Sequence, residues 1–493
     1  MKRIGFVLIC LSLLSITSQA QVIEDALRLA PSPTLVNPRS AGMGNAFTGL
    51  ADDASAIYWN PAGLGQLRLS EFSFGLSNVG MNNDASLLGV SASGDNSSTV
   101  ISNLQFALPF PVARGSFVLG AGYSRIADYT GALSVDAYNP LSSMQTSLYN
   151  ADNEDLDFAW NLGLEDTLVL TYQDQGRPGW LAIPVTNRVQ QTIDLLEDGS
   201  LNLWSFGGSI EVAPNAMIGL ALNVVSGSYR FERTFIETDI QNAHTGDIIG
   251  IDNVTRTDFQ SLEIEELIDQ DLSGWNMRLG FLYNYRDKAR IGIAVQTAGS
   301  INVNEDYEKF GRSVFSNASL SYELTALDNN YDISTPAVYS IGASYNPVEW
   351  ITVAADFDLV DYSKLEFEDS NNFNTTQLNR DIRKFFRSTN NFRAGGEVRV
   401  PNTGLILRGG FGYNYSPYSE DEGTTEYNIT TFSGGVGYLF EGNFAVNAAF
   451  SMSSYNTFVF NYIDPDTMVP ESAFTTEQEV TRTRLMLGVT YRF

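Results

Sequence analysis

The chain of 493 residues is poor in the side chains that most enzyme chemistry needs: it has one cysteine, one histidine and only 17% charged positions. One cysteine excludes a disulfide framework and a thiolate cage, because zinc takes three or four Cys, His or carboxylate ligands. Most acid-base and nucleophilic mechanisms set an imidazole beside the reacting group. Here only His244 is available, in the loop-like stretch Asn242-Ala243-His244-Thr245-Gly246. No catalytic residue, metal or cofactor is expected. Cations are scarce as well. With 29 Lys and Arg against 57 Asp and Glu the net charge is −28, which excludes a sequence-independent grip on phosphate backbones, so nucleic acid is not an expected partner. Past residue 20 the chain also lacks any run of about 18 apolar residues, so it has no ordinary membrane-spanning helix.

What is present is aromatic and glycine-rich: 30 Phe, 23 Tyr, 6 Trp and 42 Gly, too many for a disordered acidic chain. The first residues read as a secretory signal, with Lys2 and Arg3, an apolar stretch from Ile4 to Ile16, and Ser18-Gln19-Ala20 as the cleavage site. Cleavage after Ala20 makes residues 1–20 a signal peptide and removes Cys10 with it. An exported chain without spanning helices still crosses a membrane if its backbone groups close on themselves in a β-barrel, whose sequence mark is segments of about ten residues with alternating polarity.

Such segments recur. Trp275, Met277, Leu279, Phe281, Tyr283 and Tyr285 alternate with Asn276, Arg278, Gly280, Asn284 and Arg286, and Leu485, Leu487, Val489, Tyr491 and Phe493 alternate with Arg484, Gly488, Thr490 and Arg492. One set faces lipid and the other a lumen. Tight turns are predicted at Pro109 to Gly115, Ala213 to Asn215, Arg286 to Ala289, Asn346 to Val348, Pro401 to Gly404 and Glu441 to Asn443. These give six hairpins; a first strand from Arg68 to Val79 and a last one bring the total to fourteen, an even number that places both barrel ends on one side. The pattern predicts an all-β, transmembrane antiparallel barrel over residues 68–493. Long outer loops are expected at 80–97, 129–200, 235–274, 302–335, 363–391, 416–428 and 461–479, with Leu320, Tyr322 and Leu324 in a loop or a strand extension above the membrane. Many carboxylates fall in these loops, among them Asp152, Glu154, Asp155 and Asp157, then Glu263, Glu265, Glu266, Asp269 and Asp271, then Glu420, Asp421, Glu422 and Glu426. They read as a solvated surface or as bridges through divalent cations to outer-leaflet lipopolysaccharide.

The segment 21–67 does not read as strand. A short helix is expected within Val22 to Ala30; Pro31, Pro33 and Pro38 then break regular structure, and Arg39-Ser40-Ala41-Gly42-Met43-Gly44-Asn45-Ala46-Phe47 offers small residues for close packing. It continues as Ala51-Asp52-Asp53-Ala54 and Asn60-Pro61-Ala62-Gly63-Leu64. This order, a small-residue segment, then Ala-Asp-Asp-Ala, then Asn-Pro-Ala before the first strand, resembles the FadL/TodX family of long-chain fatty-acid and hydrocarbon transporters of Gram-negative outer membranes. Weaker likeness runs through Tyr339 to Pro347, Asp356 to Ser363, Leu407 to Phe411 with Ser416-Pro417, and Phe432 to Tyr438. Glu24-Asp25-Ala26-Leu27-Arg28 is similar to starts in Bacteroidetes-type members.

The resemblance implies a fourteen-stranded barrel plugged by an N-terminal hatch that gates the pocket, with Arg39, Gly42, Gly44, Asp52, Asp53, Asn60, Pro61 and Ala62 as hatch and gating residues. It implies an apolar pocket inside, a groove on the outer loops, lateral exit of a hydrophobic small molecule into the membrane, and no enzymatic activity. Phe158, Trp160 and Leu162, with Leu156 and Leu164, fit the groove or a small core within the loop. By strand parity Arg278, Leu282, Arg484 and Met486 line the lumen, where an arginine meets either a ligand carboxylate or plug carboxylates such as Asp52 and Asp53. Asn60-Pro61-Ala62 fits a moving hatch turn or a rigid turn into strand one. The final Tyr491 and Phe493 resemble the signal read by the barrel-assembly machinery. The expected state is a monomer among outer-membrane lipids and lipopolysaccharide. Related fourteen-stranded barrels instead bind cargo protein in secretion systems, and an apolar pocket under the hatch discriminates the transporter from them.

Overall fold

Period-two polarity sets the architecture. The computed structural model describes residues 23–30, 36–150, 158–164, 185–249, 252, 254–371, 374–419, 427–462 and 469–493. In chain order the strands begin with β1 (Glu71–Leu87), β2 (Val90–Phe110), β3 (Phe117–Asp128), β4 (Gly131–Asn139), β5 (Val189–Ala213) and β6 (Ala216–Thr238). The small hairpin of β7 (Asp247–Ile249) and β8 (Thr255–Thr257) precedes β9 (Phe259–Tyr285), β10 (Ala289–Gln296), β11 (Gly299–Phe315), β12 (Ala318–Thr335) and β13 (Val338–Val348). Then come β14 (Ile351–Asp361), β15 (Glu366–Glu368), β16 (Ser388–Arg399), β17 (Leu405–Asn414), β18 (Ile429–Phe440), β19 (Phe444–Phe460) and β20 (Thr475–Arg492).

All but β7 and β8 belong to one antiparallel sheet. Four pairs lie end to end as interrupted wall strands, β3 with β4, β10 with β11, β12 with β13 and β14 with β15, so the wall has fourteen crossings. It closes where β1 pairs with β20 from Glu71↔Arg492 to Ser86↔Glu477. Closure leaves no sheet edge to satisfy in lipid. The parity read from β9 holds: Trp275, Met277, Leu279, Phe281, Tyr283 and Tyr285 are exposed on the outer face, while Asn276 and Leu282 are buried inside.

Several expected loops are strand instead. Residues 80–97 complete the β1–β2 hairpin, which turns at Leu88 (φ 52°) and Gly89 (φ 80°), two adjacent left-handed residues of the kind that match strand twist. Their Asn, Ser and Gly content hid them: the face of β1 that carries Val79, Met81, Asn83, Ala85 and Leu87 is buried, but Asn83 interrupts its apolar run, and the partner stretch from Val90 to Ile101 has no buried residue. Likewise 302–335 is the β11–β12 hairpin, with Leu320, Tyr322 and Leu324 on its second strand. Glu263, Glu265, Glu266, Asp269 and Asp271 lie on β9 rather than in a loop: Glu266 pairs with Arg233, and Asp269 with Arg230 at 3.4 Å. Residues 152–157 and 420–426 fall outside the described residues. The turn expected at Asn346 to Val348 sits at Glu349-Trp350, because the register slips between Tyr345 and Val348 and absorbs Pro347, which has no N–H to pair.

Residues 36–67 fill the barrel as a plug. Its Pro38–Gly42 helix is capped by Asn37, whose Oδ1 accepts from the Ser40 N–H at 2.7 Å, and Pro38 occupies the first turn, where no N–H is needed. A second turn of helix, Ala56–Trp59, runs into the 3-10 segment Pro61–Gln66. The plug backbone rests on wall backbone where both are small. A Cβ added at Gly410 would lie 2.0 Å from the Gly44 nitrogen, and one at Gly219 2.3 Å from the Ala62 nitrogen. Gly44 itself has φ +62°, a conformation that favours glycine.

Candidate ligand pocket and plug

The plug carries the charges that the lumen wall answers. Arg39 reaches Asp52 at 2.6 Å, Asp53 at 3.0 Å and Glu397 of β16 at 3.0 Å; Arg408 of β17 binds the same Glu397 at 2.8 Å. Burial works against the Asp52 carboxylate, yet Arg39 and Arg290 together hold it below its ordinary pKa. On β14, Asp356 accepts from the Phe47 and Thr48 N–H groups, both at 2.7 Å. Glu71 takes the Ala54 N–H with Oε1 and the Arg492 Nε–H with Oε2, each at 2.7 Å. Asn60 is fully buried; its Nδ2 donates to Thr48 O and Phe281 O at 3.0 Å, and its Oδ1 accepts from the Ala62 N–H at 3.2 Å. These bonds tie Asn60-Pro61-Ala62 to β9 and to the Thr48 carbonyl.

Arg39→Ala leaves Asp52, Asp53 and Glu397 buried without their shared cation. Because Arg290 and Arg408 remain beside them, the cost is set at the lower end for a broken buried pair, about 3 kcal/mol. The plug of this variant should be cut by added protease under conditions where the wild type resists, read by mass spectrometry of fragments from residues 36–67.

Above the Ala56–Trp59 turn lies a cavity of about 100 Å³ between plug and wall. Leu201, Leu203, Val225, Ile301, Val338 and Val360 form its aliphatic wall, and Leu29 with Ala30 adjoin it from the Ile23–Arg28 helix. That helix is held by Arg28, which stacks on Tyr229 at 3.5 Å and pairs with Asp25 at 2.5 Å. Tyr58 and Trp59 present their rings from the plug, edge to face at 4.9 Å.

At one side the cavity touches Ile126 and Ala127. Here the β3–β5 register slips between Arg125 and Ala127, so Ile126 is an extra residue in the ladder. The β2–β3 ladder has already ended, at Asn103↔Ser124, while β2 continues upward paired with β1 alone. Ile126 and Ala127 remain half-buried although the cavity lies behind them.

The lumen residues expected from parity separate into three groups. Arg278 lines the cavity, but its guanidinium bonds the Tyr58 carbonyl and Gln296 Oε1 rather than Asp52 or Asp53, and lies 4.7 Å over the Tyr58 ring. Leu282 packs with Ala62 and Met217, and Met486 with Ala41 and Ala449, both against the plug below the cavity. Arg484 shares the inner face of β20 and lies outside the cavity lining.

Phe158 and Leu162 are fully buried in a separate core under the outer loops, Phe158 beneath Lys309 at 4.7 Å and Leu162 accepting from Ser313 Oγ at 2.5 Å. Trp160 is half-buried beside them and Leu164 is buried, so this stretch forms the satellite core rather than an open groove; Leu156 falls outside the described residues. His244 Nε2 meets Asn187 O at 2.8 Å in the outer loops. Tyr491 and Phe493 stack at 5.6 Å on the outer face, and Phe493 N–H donates to Ser70 O at 2.9 Å.

Sequence reasoning missed Asp356, Asp358, Arg393, Glu397 and Arg408. Their signal was the same alternation: Val353, Phe357 and Leu359 are exposed on β14, which puts Asp356 and Asp358 inside.

Residues 197–493 match the profile of the family described as outer membrane protein transport protein (OMPP1/FadL/TodX). No curated protein sequence matches the chain. Among solved structures it is similar to a Pseudomonas aeruginosa FadL homologue at 12% identity, over 94% of this chain and 99% of that one, with a TM-score of 0.54. The Pseudomonas putida toluene transporter TodX aligns at 14% identity over 94% and 99% with a TM-score of 0.53, and the Ralstonia pickettii toluene transporter TbuX at 17% over 93% and 98% with a TM-score of 0.50. Such distant structures speak for the fold. The family profile spans more than half of the chain, and a closed fourteen-stranded barrel carries it: the protein belongs to the OMPP1/FadL/TodX family of outer-membrane transport proteins.

Proposed function

We propose that this chain passes hydrophobic small molecules across the outer membrane through the cavity between plug and wall, and releases them sideways between β2 and β3. The observation that carries the reading is the cavity's position: lined by aliphatic side chains from Leu201 to Val360 together with polar ones such as Arg278 and Gln296, it ends at Ile126 and Ala127, where the wall ladder is interrupted. An apolar guest leaving there meets lipid rather than periplasmic water, which is the favourable direction for it. The mobile part in this reading is the cover formed by residues 23–30. The hatch residues Arg39, Gly42, Gly44, Asp52, Asp53, Asn60, Pro61 and Ala62 keep the lumen sealed against water and ions. One chain supplies every part, so the working unit is a monomer surrounded by outer-membrane lipid and lipopolysaccharide, inserted by the barrel-assembly machinery through its Tyr491–Phe493 end. The protein acts as a conduit and performs no chemistry on its guest.

Purification from membranes in mild detergent, solvent extraction and mass spectrometry test the proposal, with Leu203→Trp filling the cavity as comparison. A stoichiometric apolar compound in the wild type that is lost in Leu203→Trp is the expected result. Bulk lipid alone in both, or a secreted protein in place of a small molecule, overturns it.

A further inference from the structure

The cover helix places a cation in a seat built by the barrel wall. Arg28 lines the cavity with its guanidinium 3.5 Å over the Tyr229 ring, and Tyr129 stands edge-on to that ring at 5.5 Å. From Tyr229 a polar row crosses the inner face: Tyr229 of β6 pairs with Gln270 of β9, Gln270 with Glu305 of β11, and Glu305 with Asn329 of β12. All of them are buried. Glu305 accepts from Gln270 Nε2 at 2.7 Å, from Asn329 Nδ2 at 3.0 Å and from the Tyr331 hydroxyl at 3.1 Å. Because Glu305 holds its amide nitrogen, Gln270 turns its oxygen to Arg28, whose Nη2 donates to it at 3.3 Å. The Tyr229 hydroxyl in turn donates to Glu197 Oε1 of β5 at 2.7 Å. A ring face, an amide oxygen and two carboxylates bonded behind them suit a cation. All of these groups belong to the wall; Arg28 and Asp25, which pair at 2.5 Å, belong to the cover.

We infer that this seat receives the cationic head, an amine or a guanidinium, of an amphiphilic guest when the cover lifts, and that Arg28 holds the place in the closed protein; this rests on the transport reading above, in which residues 23–30 are the moving part. Lifting the cover removes Arg28 and Asp25 together and leaves Tyr229, Gln270, Glu305 and Glu197 on the wall. A cationic head regains there what Arg28 gave up, so its binding favours the lifted state. A carboxylate meets the like charges of Glu305 and Glu197, and an alcohol forgoes the attraction of the ring for charge. Arg482 of β20, within reach of the Glu197 charge, gives its Nη1 to the Asp128 carbonyl at 2.8 Å. The tail of such a guest has a place as well. Two residues on from Gln270 and Glu305, the register partners Leu272 and Val303 begin the apolar inner face that leads to Ile301 and the cavity.

The test compares octylguanidinium, octanol and octanoate, which share a tail and differ in the head, by equilibrium dialysis against the detergent-solubilised full chain. Each affinity is referred to the probe's concentration in the detergent phase, so that partition cancels. Arg28→Ala opens the seat. Octylguanidinium is expected to bind this variant about tenfold or more tightly than either other probe, and about tenfold or more tightly than it binds the wild type, where it must displace Arg28. Added to Arg28→Ala, Tyr229→Leu should remove that preference, whereas Tyr229→Phe, which keeps the ring, should retain it; the heat-resistant barrel band on gels shows that both are folded. Octanol or octanoate bound to Arg28→Ala as tightly as octylguanidinium overturns the cation assignment and leaves the transport reading standing. Leu203→Trp, added to Arg28→Ala, fills the cavity and should abolish binding; octylguanidinium held there unchanged separates seat from cavity and overturns the proposal. If none of the three binds Arg28→Ala, the cation assignment and the transport reading fall together.

Discussion

Deleting Ile126 is expected to bring delivery of an apolar guest into the membrane down to the rate of protein-free vesicles, while the cavity still binds its ligand. Arg125 pairs with Asn202 and Ala127 with Leu201, so Ile126 is the single residue by which β3 exceeds β5 at this point. Without it the alternation of β3 is regular across the slip, and residues beyond it keep their faces, because their pairing with β5 is unchanged. A straight β3 can extend its ladder with β2 past Asn103↔Ser124 and close the side of the cavity. The measurement is uptake of a labelled guest into proteoliposomes beside binding to the same protein in detergent. Loss of uptake with binding kept marks the slip as the way out. Unchanged uptake places the exit elsewhere in the wall.

A branched side chain at position 410 should unseat the plug. The Gly410 backbone is so close to Met43 and Gly44 that a Cβ would fall 2.0 Å from the Gly44 nitrogen and 2.3 Å from the Met43 carbonyl carbon. Neither neighbour is a flexible side chain, so Gly410→Val must push plug and wall apart. Overpacking costs about 1–3 kcal/mol, and that range shifts a seated-to-unseated balance by about 5–150-fold. The sign to look for is ion conductance in planar bilayers, frequent for Gly410→Val and rare for the wild type, with the heat-resistant barrel band retained on gels. Gly409→Val is the internal control, since a Cβ at Gly409 meets nothing within 4 Å. Equal conductance in the two variants would show that the seal does not depend on this contact.

Much of this arrangement is legible in the sequence because a barrel wall writes its own period. The six outward residues of β9 could be listed from spacing alone, and so could the turns at Ala213 to Asn215, Arg286 to Ala289 and Glu441 to Asn443. Prolines and small residues marked the segment before β1 as something other than strand, and the family resemblance implied that it plugs the barrel. Other parts leave no local trace. Arg39 and Glu397 are 358 residues apart, and nothing near either names the other. The upper β1–β2 hairpin went unseen because the buried face of β1 there includes a polar Asn83 and the facing part of β2, Val90 to Ile101, has no buried residue to mark a period. Phe158 and Leu162 show the limit from the other side: large apolar residues beside acidic ones read the same whether they line a groove or fill a loop core, and only their burial separates the two.

Glu71 ties two late events of biogenesis to one side chain. Its Oε2 holds Arg492 of the last strand, across the seam that closes the sheet, and its Oε1 holds the Ala54 N–H of the plug. Contacts between the two ends of a long chain form slowly, since the loop between them must be closed before anything repays it. Until β20 arrives the carboxylate has no guanidinium, and until the plug is seated it lacks its backbone donor. A chain that zips its seam over an empty lumen therefore keeps a half-satisfied buried acid at the joint, and so does one that seats its plug in an open sheet. The order of the two steps is left free, but neither is complete without the other.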